Sequence, residues 1–110
     1  MAAERSLNQD ELRQVLSVRQ FEWRQHVLQR LAERGIRQAA VLEVLRSGER
    51  IEDYPEDMPY PSALFLALVE GKPLHVVVAL DAQAQWAYII TAYGPDLEHF
   101  DPDYRTRKSP

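Results

Sequence analysis

The stretch HVLQRLAERG carries one histidine and two arginines, His26, Arg30 and Arg34, at intervals of four residues. On a helix, positions four apart lie about 40° apart around the axis, so these side chains would form a slanting row. The row begins on the solvent side and runs into an apolar stripe that contains Trp23 and Val27. At such a border an imidazole can shift its pKa and a guanidinium can hold an anion. Two interpretations stay open. The row is an anion-binding surface, or it is the solvated flank of a helix whose arginines stabilise its carboxyl-terminal end.

Two apolar segments later in the chain carry a second group of candidates. In PLHVVVALD, alternation along a strand puts His75 on one face with Val77 and Ala79. In WAYIITAY, the same rule puts Trp86, Tyr88, Ile90 and Ala92 on one face, and Ala87, Ile89, Thr91 and Tyr93 on the other. A sheet face with His75, Thr91 and Tyr93 would offer a general acid or base and an oxyanion donor. The alternative is that this histidine and tyrosine lie on the wet face of a half-covered sheet.

The first half of the chain has helical periodicity. LNQDELRQVL predicts a helix capped by Asn8 or Asp10, and FEWRQHVLQRLAERG predicts a second helix that ends at Gly35. RQAAVLEVLRSGE predicts a third helix that ends at Gly48. The residues expected to face the core are Trp23, Val27, Leu28 and Leu31 in the second helix, and Ala40, Val41, Val44 and Leu45 in the third.

The second half has the composition of strands joined by short turns. ERIEDY predicts a short strand or an extended connector, and the proline-rich EDYPEDMPYP predicts a connector between the third helix and the sheet. Residues 62–93 predict at least three consecutive antiparallel strands. The fold class is therefore α+β: two or three helices, among them the one with His26, packed on one face of a three- or four-stranded antiparallel sheet.

Composition limits the function further. The chain has 110 residues, a net charge of −4 and no cysteine, so non-specific coating of nucleic acid and thiolate metal sites are not expected. Local basic stretches remain at residues 24–37 and in YRTRK, whose arginines matter if the tail folds back on the sheet. Glycine-rich phosphate loops, zinc-binding histidine pairs and serine-hydrolase elbows are absent from the sequence, which predicts no metal and no organic cofactor. With neither a signal peptide nor an apolar span, a cytoplasmic protein without a membrane partner is expected.

Four blocks in order carry a family resemblance: H-x-x-x-R-x-x-x-R-G-I, V-L-R-S-G-E-R-I-E-D-Y-P-E-D-M-P-Y-P-S, G-K-P-L-H-V-V-V-A and I-I-T-A-Y-G-P-D. Together they resemble the bacterial domain of unknown function 4258 over about residues 20–108, leaving residues 1–19 as an N-terminal helical arm. The resemblance implies a RelE-like, toxin-type nuclease fold that cuts RNA without metal. Its helix motif corresponds to His26, Arg30 and Arg34, and its strand motifs to His75, Thr91 and Tyr93.

Two functions follow as hypotheses. The first is a metal-independent endoribonuclease of a toxin–antitoxin-like system, whose partners would be RNA and a cognate antitoxin-like protein. In it His26 or Tyr93 would move protons, Arg30 and Arg34 would stabilise phosphorane-like charge, and Thr91 would orient the substrate. The second is a non-catalytic protein-interaction module that uses the acidic loop or the sheet face. The enzyme hypothesis requires Arg30 to point toward the Thr91–Tyr93 end of the last strand, with His26 in the same cleft. If the row is only the solvated flank of a helix, its arginines should instead pair with acids such as Glu33 or Glu43.

Overall fold

Three helices and five strands make up the α+β fold in the computed structural model, which describes residues 6–108. In chain order they are α1 (Gln9–Ser17), β1 (Phe21–Trp23), α2 (Val27–Arg34), α3 (Gln38–Ser47), β2 (Glu49–Tyr54), β3 (Ser62–Val69), β4 (Lys72–Asp81) and β5 (Trp86–Tyr93). The strands form one sheet in the order β1-β5-β4-β3-β2. The α+β class is confirmed, but the sheet has five strands rather than three or four. The first five residues of the predicted N-terminal arm lie outside the described residues.

The strands β2 to β5 form the predicted antiparallel meander. β3 pairs with β4 from Ser62 opposite Ala79 to Val69 opposite Lys72, and β4 pairs with β5 from His75 opposite Tyr93 to Asp81 opposite Trp86. ERIEDY is a strand, β2, at the sheet edge. The proline-rich acidic segment therefore connects β2 to β3, and its expected position between the third helix and the sheet was wrong.

The largest departure from the sequence prediction is β1. Phe21, Glu22 and Trp23 were expected to begin the second helix, but they pair in parallel with Ala87, Tyr88 and Ile89 of β5. Aromatic residues separated by one polar residue suit a strand, and the free edge of β5 satisfies their backbone hydrogen bonds. The sheet is consequently mixed rather than purely antiparallel.

The core lies between the helices and one face of the sheet. Each helix buries an apolar stripe: Leu12, Val15 and Leu16 of α1, Val27 and Leu31 of α2, and Ala40, Val41, Val44 and Leu45 of α3. They belong to one cluster with sheet residues such as Phe65, Val76, Val78 and Ile89. Leu28, predicted to face the core, is 44% exposed because it lies on the outer side of α2. No helix among residues 6–108 is long and apolar enough to cross a bilayer.

The helix ends follow the predicted chemistry in two places. The Asn8 side chain accepts a hydrogen bond from the Glu11 N–H at 2.9 Å and caps α1. Gly35 ends α2 in a left-handed conformation with a φ of +68°. Gly48 ends α3 as predicted, but with an extended backbone.

We call the sheet face opposite the helices the open face. A bulge in β5 changes which side chains lie on it. The pairing shifts between Val77–Thr91 and Val78–Ile89, which leaves Ile90 as the extra residue. Trp86, Tyr88, Thr91 and Tyr93 therefore share the open face with His75. Strict alternation had placed Trp86 and Tyr88 opposite Thr91 and Tyr93, which was wrong because one inserted residue reverses every later side chain.

The C-terminal segment, residues 95–108, folds back over one end of the open face. Arg105 donates to Glu49 at 2.6 Å and Arg107 donates to Glu52 at 2.8 Å, so both arginines contact the edge strand β2. Phe100 of this segment is buried and packs against His75 of the sheet. The tail therefore covers the end of the sheet that contains His75 and Tyr93.

Candidate functional site

A small surface cleft lies at the edge of β5, where the chain leaves β1 and enters α2. It has a volume of about 220 Å³ and is lined by Gln25, His26, Val27, Arg30, Ile90 and Thr91. The Arg24 N–H donates to the Ile89 carbonyl at 2.9 Å, and the Val27 N–H donates to the Arg24 carbonyl at 3.0 Å. These two bonds form a tight turn that holds the start of α2 against β5. The cleft contains three of the six predicted site residues: His26, Arg30 and Thr91.

His26 occupies the position immediately before α2, not a position within the helix. Its backbone is left-handed, with a φ of +71°, and its side chain makes no capping hydrogen bond. Such a conformation is uncommon outside glycine, although histidine tolerates it better than most residues. The turn therefore presents an exposed imidazole at the mouth of the cleft. The prediction that His26 belongs to one helical row with Arg30 is wrong. The two residues are still close, because the Arg30 N–H donates to the His26 carbonyl at 3.0 Å.

Arg30 supplies the positive charge of the cleft. Its side chain is exposed, and within residues 6–108 its guanidinium has no carboxylate or hydrogen-bond partner. Glu33, the nearest acid in sequence, accepts a hydrogen bond from Gln29 instead. The first turn of α2 contains no acidic residue, so no carboxylate in that turn neutralises the partial positive charge of the helix N-terminus. The local pairing expected of a solvated flank is not found for Arg30.

Arg34 has a structural role and lies outside the cleft. Its Nη1 donates to the Ala92 carbonyl at 2.7 Å, which ties the end of α2 to β5. This bond uses an N–H group that would otherwise be free to hold a phosphate. The sequence placed Arg34 in the same functional row as Arg30, but only Arg30 reaches the cleft lining.

His75 and Tyr93 form a separate cluster beneath the C-terminal segment. His75 is 0% exposed, its Nε2 donates to the Tyr104 carbonyl at 2.6 Å, and its Nδ1 lies 3.4 Å from the Tyr93 hydroxyl. Phe100 packs edge-on against the imidazole, with ring centroids 4.6 Å apart. Both ring nitrogens are thus engaged in the folded protein. The expected wet sheet face is wrong here because the tail covers it.

Beside this cluster a short polar network fastens the tail. The Tyr54 hydroxyl donates to Glu52, which also accepts from Arg107. Burial and the neighbouring Glu52 raise the pKa of Tyr54 to about 12. Hydrogen bonds to Tyr54 and Glu52 raise the pKa of Arg107 above its usual range. The basic tail folds back on the sheet, which was the condition for its arginines to matter. These arginines anchor the tail to β2.

We expect the buried His75 to make stability depend on pH. Burial lowers the pKa of His75, so its stabilising neutral form is fully populated above about pH 6.5, the unfolded value. Stability is then lost as the pH falls from there through the folded pKa, by at most about 1.4 kcal/mol per pH unit for one proton. Urea unfolding of the wild type and His75→Gln between pH 7.5 and 5 checks this. The glutamine variant should show a flatter dependence, and parallel curves would contradict the assignment.

One group of possible metal ligands occurs among residues 6–108. Asp96, Glu98 and His99 are exposed and bring their donor atoms within 4.8 Å of one another. His99 is already paired with Asp96 at 2.9 Å. None of the three lines the cleft, so the chemistry available there is that of an imidazole, a guanidinium and a hydroxyl.

Sequence reasoning missed several residues around the cleft. Gln25 and Ile90 line it because of the turn after β1 and the bulge in β5. Arg24 lies with its guanidinium 5.1 Å from the ring centroid of Tyr88, and Tyr88 stacks on Tyr60. The sequence signal that could have indicated them was an arginine, Arg24, two residues before His26.

Comparison with known proteins gives a family and no further relative. The family model described as a domain of unknown function, DUF4258, matches residues 23–94. No curated protein and no solved structure shows a significant match. The matched region contains every residue of the cleft, together with His75 and Tyr93. It excludes α1, as the resemblance drawn from sequence also did, and it excludes the C-terminal segment, which that resemblance had included. The chain belongs to the DUF4258 family.

Proposed function

We propose that this protein is a metal-independent endoribonuclease of the toxin type, with a RelE-like arrangement of helices on a sheet, acting at the cleft beside β5. The supporting observation is that an exposed imidazole, a guanidinium with no partner among residues 6–108, and a hydroxyl line one cleft: His26, Arg30 and Thr91. These are the groups that phosphodiester cleavage without metal needs, namely a proton acceptor, a cation and a hydrogen-bond donor. Arg34 and Tyr93 leave the proposed machinery because each is held elsewhere.

The reaction can be written with these three side chains. His26 accepts the proton of the RNA 2′-hydroxyl, whose oxygen forms a bond to the adjacent phosphorus. Arg30 and the Thr91 hydroxyl stabilise the negative charge that grows on the non-bridging oxygens. The bond to the 5′-oxygen then breaks, and that oxygen takes a proton from solvent, which reaches the open cleft. His26 releases the proton that it accepted to the same solvent, which restores the base. The products are a 2′,3′-cyclic phosphate and a free 5′-hydroxyl.

The local charge supports an anionic substrate despite the acidic chain. Residues 24–37 contain four arginines and one glutamate, while Arg37 is turned away to Glu70 at 2.7 Å. Nine of the seventeen acids, which make the net charge negative, lie in β2, in the loop after it and in the segment after β5. A phosphate is therefore attracted to the edge of β5 even though the protein repels nucleic acid as a whole.

The test is cleavage of a short end-labelled RNA by the purified full chain, with and without EDTA. We expect cleavage that survives EDTA, yields a 2′,3′-cyclic phosphate and stops when the nucleotide before the scissile bond carries 2′-hydrogen. The deoxy substitution removes only the attacking oxygen, so binding of the strand continues. An absence of cleavage across varied RNA sequences, or cleavage abolished by EDTA, would overturn the proposal.

A second candidate function is that of a protein-interaction module. The loop between β2 and β3 exposes Met58 by 78%, flanked by the exposed acids Glu56 and Asp57. An apolar side chain bordered by acids suits contact with a basic protein surface. On the enzyme hypothesis the same loop is a candidate contact for a cognate antitoxin-like protein. Met58→Ser should weaken such a complex without changing RNA cleavage by the free protein.

A further inference from the structure

The uncovered end of the open face carries a cluster of aromatic rings and one cation: Tyr60, Trp86, Tyr88 and Arg24. We call this cluster the aromatic platform. Tyr60 and Tyr88 are stacked, with ring centroids 5.4 Å apart and planes at 3°. The Arg24 guanidinium lies over the Tyr88 ring at 5.1 Å. The side chains of the platform are partly or fully exposed, so the stack ends in surfaces on which a further planar group can lie.

The aromatic platform and the cleft are neighbours along one strand. Tyr88 and Thr91 lie on the same face of β5 because of the bulge at Ile90. With a rise of about 3.3 Å per residue, the two positions are separated by roughly 7–10 Å along the strand. Arg24 leads directly into the turn that holds His26. A single flexible polymer can therefore contact the cleft and the aromatic platform at the same time.

Two acids on the same face determine whether the phosphates or the bases of such a polymer can lie beside the rings. Glu22 accepts a hydrogen bond from the Trp86 Nε1 at 3.0 Å, and the negative charge of the nearby Asp81 raises the pKa of Tyr60. Carboxylates at these positions repel phosphates but can accept hydrogen bonds from base amino groups. The phosphates are thus directed toward Arg24 and Arg30, and the bases toward the rings.

We propose that the aromatic platform binds the unpaired bases of single-stranded RNA next to the phosphate held in the cleft. This inference rests on the proposed function and narrows its substrate to single strands. Bases stack on aromatic side chains and arginine planes only when they are not already stacked and paired in a duplex. Duplex RNA presents its phosphates and sugars instead, which offers the rings no partner.

The experiment measures binding apart from cleavage. A fluorescein-labelled 2′-O-methyl oligonucleotide of mixed sequence cannot supply the attacking hydroxyl, so its anisotropy reports binding alone. We expect the single strand to bind and a 2′-O-methyl hairpin duplex to bind at least tenfold more weakly. Tyr60→Ala and Tyr88→Ala should each weaken single-strand binding by about 5- to 100-fold. Tyr88→Phe, which keeps the ring, should stay within about twofold of the wild type.

Controls separate the platform from general charge and from misfolding. Arg24→Ala should weaken binding, whereas Arg46→Ala, which removes an exposed arginine at the end of α3, should not. Circular dichroism verifies that each variant is folded, and Tyr60 lies in a loop, so its replacement spares the strands. Folded Tyr60→Ala and Tyr88→Ala proteins that bind like the wild type would overturn the inference, as would equal binding of duplex and single strand or no binding of either. Ring-dependent binding without cleavage of ordinary RNA would support the platform and refute the nuclease.

Discussion

Replacing Arg30 with alanine is expected to slow RNA cleavage by about 100-fold or more while leaving the free energy of unfolding within about 0.5 kcal/mol of the wild type. The guanidinium lines the cleft and has no partner among residues 6–108, so the folded state loses little when it is removed. The transition state loses the cation nearest its growing charge. Initial cleavage rates and urea unfolding on the same preparations measure the two effects.

Two other arginines provide the comparison. Arg46→Ala removes another exposed arginine, away from the cleft, and should leave cleavage unchanged. Arg34→Ala removes the bond to the Ala92 carbonyl and should cost about 1–2 kcal/mol of stability. An Arg30→Ala protein that cleaves like the wild type would place the chemistry elsewhere, and a loss of activity in proportion to the unfolded fraction would make Arg30 structural.

Predictions that depended on local chemistry agree with the structure. The Asn8 cap, the left-handed Gly35 and the buried stripe of α3 follow from interactions within a few residues of the chain. The antiparallel meander of residues 62–93 follows from short turns between apolar segments. In these parts of the fold, the residues that determine the local structure lie close together in the sequence.

Predictions that depended on distant partners were wrong or incomplete. Residues 21–23 form a strand because the edge of β5, more than sixty residues later, offers them hydrogen bonds. The bulge at Ile90 cannot be read from alternation, yet it moves Thr91 to the face of Tyr88. The burial of His75 depends on a tail anchored to β2. Of the candidate site, His26, Arg30 and Thr91 could be named from residue types, but their convergence required the sheet order.

The surroundings of Gly48 also depend on distant partners that the sequence does not reveal. Its replacement is the second change for which we expect a large effect, here on the free energy of unfolding. A Cβ at this position would lie 2.4 Å from the Val44 carbonyl oxygen and 2.8 Å from the Leu66 carbonyl oxygen. Both contacts are with backbone, at the junction of α3, β2 and β3, so relief requires the elements themselves to move. The sequence shows a glycine that ends a helix, but the close approach of β3 is a property of the assembled fold.

Gly48→Ala is therefore expected to lower the free energy of unfolding by about 3 kcal/mol, at the upper end of overpacking in well-packed cores. Gly35→Ala is the matched control: its Cβ would meet nothing within 4 Å, and only the φ of +68° opposes it, which costs about 1 kcal/mol. Urea unfolding followed by circular dichroism gives both values, with the midpoint shifting and the slope constant. If Gly48→Ala were no more damaging than Gly35→Ala, the junction would be free to open, and α3 could not be a rigid support for the sheet that positions the cleft.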